Sequence, residues 1–171
     1  MSDLDKDILK DFVNESKRLI QDLVELLEAI EGDFSQVTQL EEFGQKVDRI
    51  MGAAQSLALL VPPEHALHKV ADCAALCKAV GYKAAHIKGN PQLYDVCVAL
   101  LLDATEVLRK GLENIENETS EDLKTPFSAT FVDRLRWVSQ QLNAPELAVQ
   151  KNNKKMDQNE IDELIRKLGF G

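Results

Sequence analysis

An amide and a carboxylate in the first third of the chain have the types and spacing needed to orient a water molecule. Gln45 and Asp48 lie three positions apart in a segment with helical periodicity, so they share one helix face. Gln55 lies two turns beyond Asp48 on roughly the same face. An acid and an amide side by side can hold a water for attack on an electrophile. The alternative is that these are solvated surface residues. Glu41 with Gln45 is a weaker pair at four-residue spacing.

A metal site has less support in the sequence. Cys73 and Cys77 are four positions apart on one predicted helix, with His65 and His68 upstream. Structural zinc usually draws its ligands from tight turns, and small buried cysteines are common in helices. We therefore predict no metal and no cofactor of the chain's own. The sequence also has no phosphate-cradling glycine loop, nucleophile elbow or metalloprotease motif.

The elements that must position these residues are predicted to be helices. Apolar residues recur at three- and four-residue steps over 4–30 and over 35–60, where Ser35 is a candidate N-cap. Two further helices are predicted over 63–87 and 91–115, separated by a glycine-asparagine-proline turn. Four long amphipathic helices with short connections indicate an all-α fold built as an antiparallel four-helix bundle.

The last third of the chain is organised differently. A shorter fifth helix packed on the bundle is predicted from the apolar residues Phe131, Leu135, Trp137, Val138 and Leu142. We divide the chain into the bundle at 1–118, this accessory helix within 119–143, a flexible polar linker at 144–155 and an amphipathic helix at 156–171. A short helix on a tether either folds into a partner's groove or docks on its own bundle, and periodicity leaves both open.

Composition narrows the classes of partner. The net charge of -9 argues against nucleic acid, which requires clustered Lys and Arg. The longest apolar stretches, such as 96–102, are far too short to span a bilayer, and the polar N-terminus does not read as a secretory signal. We therefore expect a cytoplasmic protein that does not enter a membrane, with its three cysteines reduced.

The C-terminal stretch resembles the CheY-binding helix of the chemotaxis phosphatase CheZ. From position 157 it reads Asp-Gln-Asn-Glu-Ile-Asp-Glu-Leu-Ile-Arg-Lys-Leu-Gly-Phe, and its first half is also similar to the CheY-binding peptide of the flagellar switch protein FliM. The likeness covers about a tenth of the chain. It implies contacts with a CheY-like response regulator through Asp157, Gln158, Glu160, Ile161, Asp162, Leu164, Ile165, Leu168, Gly169 and Phe170.

The segment 4–118 resembles the histidine phosphotransfer domain of CheA-type kinases. Phe-Val-Asn-Glu-Ser from position 12 is similar to the first helix of that domain, and Ala-Ala-Gln-Ser-Leu-Ala-Leu from position 53 to the stretch after its phosphorylated histidine. The family motif is His-x-x-Lys-Gly. Here Asp48 stands in place of the histidine and Met51 in place of the lysine, while Gly52 is kept. A carboxylate cannot form the stable phosphoimidazole of that relay, so we do not expect a kinase substrate.

Together the two resemblances imply a chemotaxis protein that captures a phosphorylated CheY-like regulator and promotes its dephosphorylation. The Mg²⁺ of such a reaction belongs to the regulator. Gln45, Asp48 and Gln55 are then the candidate catalytic residues, although the Asp-x-x-x-Gln spacing of CheZ is absent from the second helix. The alternatives are a non-catalytic adaptor that tethers CheY and an inhibitor that masks its surface. CheZ-like proteins dimerise, so a homodimer is possible.

Overall fold

The computed structural model describes residues 5–117, 129–142 and 158–167, and every regular element within them is helical. The elements are α1 (Lys6–Ile30), a 3-10 turn (Phe34–Gln39), α2 (Leu40–Ala58), α3 (Ala66–Ala84), α4 (Pro91–Glu116), α5 (Ala129–Leu142) and α6 (Gln158–Lys167). The prediction of an all-α chain is confirmed, and each predicted helix has its counterpart. The predicted linker at 144–155 lies outside the described residues.

Local capping explains where the long helices begin. The Asp5 carboxylate accepts a hydrogen bond from the Asp7 amide at 2.8 Å, which satisfies one of the unpaired donors of the first turn of α1. Asn90 does the same for α4 through the Leu93 amide at 3.1 Å, with Pro91 in the first helical turn. Gly32, at φ +76°, supplies the left-handed turn that follows α1.

The predicted start of the second helix was wrong. Ser35 does not cap it, because the chain first forms the 3-10 turn and α2 begins only at Leu40. Asp33 is the residue that caps this turn, accepting a hydrogen bond from the Ser35 amide at 3.1 Å. Two short polar side chains sit two positions apart here, and the sequence did not distinguish which one would act as the acceptor.

Helix α3 is the centre of the packing. The helices α1, α2, α3 and α4 pack in succession, with α4 returning to α1, while α5 and α6 also contact α3. Thirteen of the 19 residues of α3 are buried, so it is covered on nearly all sides. Tyr94 of α4 is fully buried, and its hydroxyl donates to the Ile30 carbonyl at 2.5 Å, which ties α4 to the end of α1.

The accessory helix packs differently from the prediction. Val138 and Leu142 of α5 are buried, but Trp137 is 46% exposed and is not the packing residue we expected. α5 rests on α4 and α3 and contacts α6. None of the described helices is long and apolar enough to cross a membrane.

Candidate functional site

The candidate catalytic residues lie on a surface that two helices build together. We call it the α2–α3 polar face and define it by Glu41, Gln45 and Asp48 on α2, by Lys78 and Tyr82 on α3, and by His86 in the turn just after α3. Residues three or four positions apart along a helix share a side, so the six side chains form two facing rows. The rows run in opposite directions, since Asp48 meets Lys78 at one end and Glu41 meets His86 at the other.

The best-defined interaction on this face joins Asp48 to Lys78. The Lys78 ammonium donates to Asp48 Oδ1 at 2.8 Å, with the lysine side chain 29% exposed and the aspartate 45% exposed. Half-exposed pairs of this kind contribute about 0.2–1 kcal/mol to stability. The consequence for the site is greater, because the Asp48 carboxylate already holds a cation.

Two glycines allow the rows to come this close. A Cβ on Gly44 would lie 3.0 Å from the ring of Tyr82, and a Cβ on Gly81 would lie 2.8 Å from the ring of Phe43. Larger residues at either position would push α2 and α3 apart. The distance between Asp48 and Lys78 is therefore set by the packing of the two helices beneath them.

Tyr82 is held as a neutral phenol beside the ion pair. Burial raises its pKa above the ordinary value, the carboxylates of Asp48 and Glu41 act in the same direction, and Lys78 opposes them. At the far end of the face, His86 Nε2 lies 3.8 Å from Glu41 Oε1, a pair that is ionic only when the histidine is protonated. The face thus presents both a positively charged hydrogen-bond donor, Lys78, and negatively charged acceptors, Asp48 and Glu41, at neutral pH.

The three predicted catalytic residues are not equally placed. Gln45 is exposed about one helical turn from Asp48, so their polar groups can act on one bound molecule. Gln55 is also exposed, but seven residues of helix separate it from Asp48 by about 10 Å along the axis. Gln45 and Asp48 therefore lie within one turn of each other on α2, whereas Gln55 lies about two turns beyond Asp48.

The C-terminal helix is folded back onto its own chain. α6 packs on α3 and α5, and the side chains of Ile161, Leu164 and Ile165 are at most 8% exposed there. Asp162 is exposed, Gln158 opens the helix, and Glu160 lies within it. Of the two alternatives that periodicity left open, this structure contains the docked helix.

Four of the predicted contact residues of this segment, Asp157, Leu168, Gly169 and Phe170, lie outside the described residues. The apolar face predicted to meet a regulator is therefore seen in part, at the three positions that α3 and α5 cover.

The cysteines lie in the interior. Cys73, Cys77 and Cys97 are all free and buried. Burial raises the pKa of Cys97 to about 12, and the hydrogen bond that the Cys73 thiol makes with Cys77, together with burial, raises the pKa of Cys73. Within residues 5–117, 129–142 and 158–167, no three potential ligands among His, Cys, Asp and Glu come together as a metal site would require. These thiols therefore have the environment of packing residues.

Sequence reasoning missed Lys78 and Tyr82. Their signal was present, since Lys78, Tyr82 and His86 recur at four-residue steps along a segment that is apolar apart from Lys83. Such a row identifies one polar stripe on α3 but not the helix that faces it. Only the packing of α2 on α3 assigns the stripe to Asp48.

Comparison with known proteins adds no identification. Searches against family models, curated proteins and solved structures each found no match for this chain.

Proposed function

We propose that this chain binds a phosphorylated CheY-like response regulator in the cytoplasm and promotes hydrolysis of its aspartyl phosphate at the α2–α3 polar face. The observation that carries the proposal is the exposed Gln45 amide beside the Asp48 carboxylate, on a helix held by a buried neighbour. The same proposal includes two finer descriptions. The four long helices form a bundle that resembles a histidine phosphotransfer domain, and the C-terminal helix resembles the CheY-binding helix of CheZ.

The proposed chemistry needs little from the protein beyond positioning. A water oxygen attacks phosphorus as the bond to the regulator's aspartyl oxygen breaks, giving a free carboxylate and inorganic phosphate, and a water proton passes to the phosphate or the solvent. Gln45 can both accept from and donate to that water, because its amide has an oxygen and an NH₂ group. Placement and charge supply most of the catalysis in phosphoryl transfer. The Mg²⁺ is the regulator's own.

Regulator binding is assigned to the apolar side of α6, flanked by acidic residues. Ile161, Leu164 and Ile165 would supply the anchors, and these are the side chains now buried on α3 and α5. The apolar side of α6 cannot contact two surfaces at once. α6 must therefore detach from α3 and α5 before it binds the regulator. A helix of ten residues is marginal by itself, so exchange between two docking surfaces is feasible.

The direct test is the decay of a phosphorylated CheY-type regulator with and without the full chain. Acceleration that saturates with increasing protein is expected. An unchanged decay rate, with binding still detected, would reject the phosphatase and leave the adaptor.

One observation favours that second candidate, a non-catalytic adaptor or inhibitor. Asp48 is already paired with Lys78, and an ion pair can simply close a surface that has lost its phosphate acceptor. The adaptor would bind the regulator and leave its phosphate lifetime unchanged or longer. A homodimer is compatible with either candidate.

A further inference from the structure

Lys78 is less exposed than Arg49, a basic side chain of α2 that pairs with α1. The Arg49 side chain, which meets Glu15 on α1 at 2.7 Å, is 66% exposed, whereas that of Lys78 is 29% exposed. Lys78 also projects from α3, in which 13 of the 19 residues are buried. A packed stem on a fixed helix places its ammonium with less freedom than a surface side chain has.

The carboxylates of the α2–α3 polar face would repel an anionic ligand, and the Lys78 ammonium offsets that repulsion. The chain carries a net charge of -9, and the α2 row of the face contributes Glu41 and Asp48. A phosphoryl group is itself anionic, so a carboxylate brought against it would repel it. The neutral amide of Gln45 does not offset that repulsion. Lys78 is the cation that the structure places against Asp48.

We infer that Lys78 is the phosphoryl-binding cation of this face, its ammonium shared between the Asp48 carboxylate and an oxygen of the regulator's phosphoryl group. An ammonium has three N–H donors, and one of them meets Asp48 Oδ1, which leaves two for a ligand. The inference rests on the proposed function, because it names how that site recognises its substrate. Asp48 then acts partly through Lys78, by holding it in place.

The test compares three substitutions in the full chain. Lys78→Met removes the ammonium and keeps most of the stem, and Lys78→Arg restores the charge. Lys46→Met is the matched control. It changes the net charge equally and breaks a pair with Glu42 at 3.4 Å, but Lys46 lies two positions from Asp48 and therefore on another side of α2. Each variant is melted to confirm that it folds.

Two quantities are measured with a CheY-type regulator. One is the maximal rate of dephosphorylation at saturating chain. The other is the preference for regulator activated with beryllofluoride over unactivated regulator. Lys78→Met should slow turnover by roughly tenfold to a hundredfold, comparable to the loss of one preorganised donor. It should also abolish the preference, while Lys78→Arg recovers much of both and Lys46→Met matches the original chain.

The outcomes separate this inference from the proposed function. Turnover and preference that survive in Lys78→Met overturn the inference and leave the phosphatase standing, as does an equal loss in Lys46→Met. If the chain shows no turnover but its preference for activated regulator depends on Lys78, the phosphatase function is overturned. The contact between Lys78 and the phosphoryl group is then supported. A chain with neither turnover nor preference overturns both, even if α6 still binds the regulator.

Discussion

The α2–α3 polar face and the α6 helix are the two regions to which function is assigned, and the structure presents them in opposite states. The face is partly exposed, and its charged groups are held by two long helices packed at Gly44 and Gly81. α6 is a short helix whose apolar side is already covered. In the proposed function, the polar face can meet the regulator in its present conformation, whereas α6 must first detach from α3 and α5.

Helix α3 contributes residues to both regions. It supplies Lys78 and Tyr82 to the polar face, with His86 just beyond its end, and also provides part of the surface that α6 covers. A mutation that weakens α3 should therefore disturb both regions, whereas one confined to α2 or α6 should disturb one. The predictions below use that separation.

The largest effect is expected on the polar face. Gln45→Ala should slow dephosphorylation by about a hundredfold, since it removes a preorganised group that orients water. Regulator binding through α6 should change little, because Gln45 and α6 lie on separate elements. The measurements are single-turnover decay of the phosphorylated regulator and its affinity for the chain.

Gln21→Ala is the matched control for that experiment, an exposed amide on α1 that bonds Glu25 at 3.1 Å. It should leave turnover unchanged. If turnover is real and Gln45→Ala proceeds at the original rate, the reacting face lies elsewhere, and exposed acids such as Asp103 and Glu106 on α4 become the candidates.

The next effect concerns α6. A peptide spanning 157–170 should bind the regulator with about micromolar affinity, since ordering a short helix offsets much of its contact energy. In the full chain only molecules with α6 detached from α3 and α5 can bind. The apparent affinity of the full chain should therefore equal that of the peptide multiplied by this detached fraction. Titration calorimetry of both against the same regulator checks this. Equal affinities would show that the two surfaces use different sides of α6.

Leu164→Ala should weaken the peptide by about tenfold, because interface energy concentrates in a few buried anchors. In the full chain the same substitution should also loosen α6 from its own helices, since Leu164 is 8% exposed there. Faster amide hydrogen exchange over 158–167, without a partner present, is the expected signature. A Leu164→Ala peptide that binds the regulator as tightly as the original peptide would rule out binding through this apolar side of α6.

A smaller effect distinguishes glycines that set the α2–α3 contact from one that does not. Gly81→Ala should destabilise the chain, because overpacking of about 1–3 kcal/mol against Phe43 exceeds the helix-propensity gain of about 0.5–1 kcal/mol. Gly52→Ala should gain that stability, as a Cβ there meets nothing within 4 Å. Urea unfolding of both variants gives the comparison. A stabilised Gly81→Ala would mean that the two helices can separate easily.

The smallest effect is a pH dependence at the start of α3. His65 Nδ1 accepts a hydrogen bond from the Leu67 amide at 3.1 Å, which requires an unprotonated nitrogen. Burial and the neighbouring His68 lower the pKa of His65 below 6.5. The unfolded chain therefore binds the proton more readily, so this contribution is present above pH 6.5 and is lost as pH falls through the folded-state pKa.

His65→Asn keeps a capping acceptor that does not titrate. Between pH 7.5 and 5.5 the original chain should lose more stability than this variant, by at most the roughly 1 kcal/mol that a cap contributes, or about 2–4 °C in Tm. Parallel melting curves for the two proteins would show that the cap does not depend on His65 protonation.

Residue periodicity and turn residues determined most of the helices. The apolar repeats predicted six helical segments, and Gly32, Asn90 and Pro91 fixed boundaries, because caps and turns depend on residues within a few positions of one another. The same local rules placed Gln45 and Asp48 on one face of α2. They failed at Ser35, where Asp33 two positions earlier was an equally good acceptor.

Contacts between helices were decided only in the tertiary structure. No spacing rule within α2 could show that Asp48 meets Lys78, since these side chains are 30 positions apart and depend on how two helices cross. Nor could the repeat of Ile161, Leu164 and Ile165 choose between a partner and its own chain. An amphipathic helix specifies only that its apolar side must be buried, and the surface that buries it is supplied by the rest of the fold.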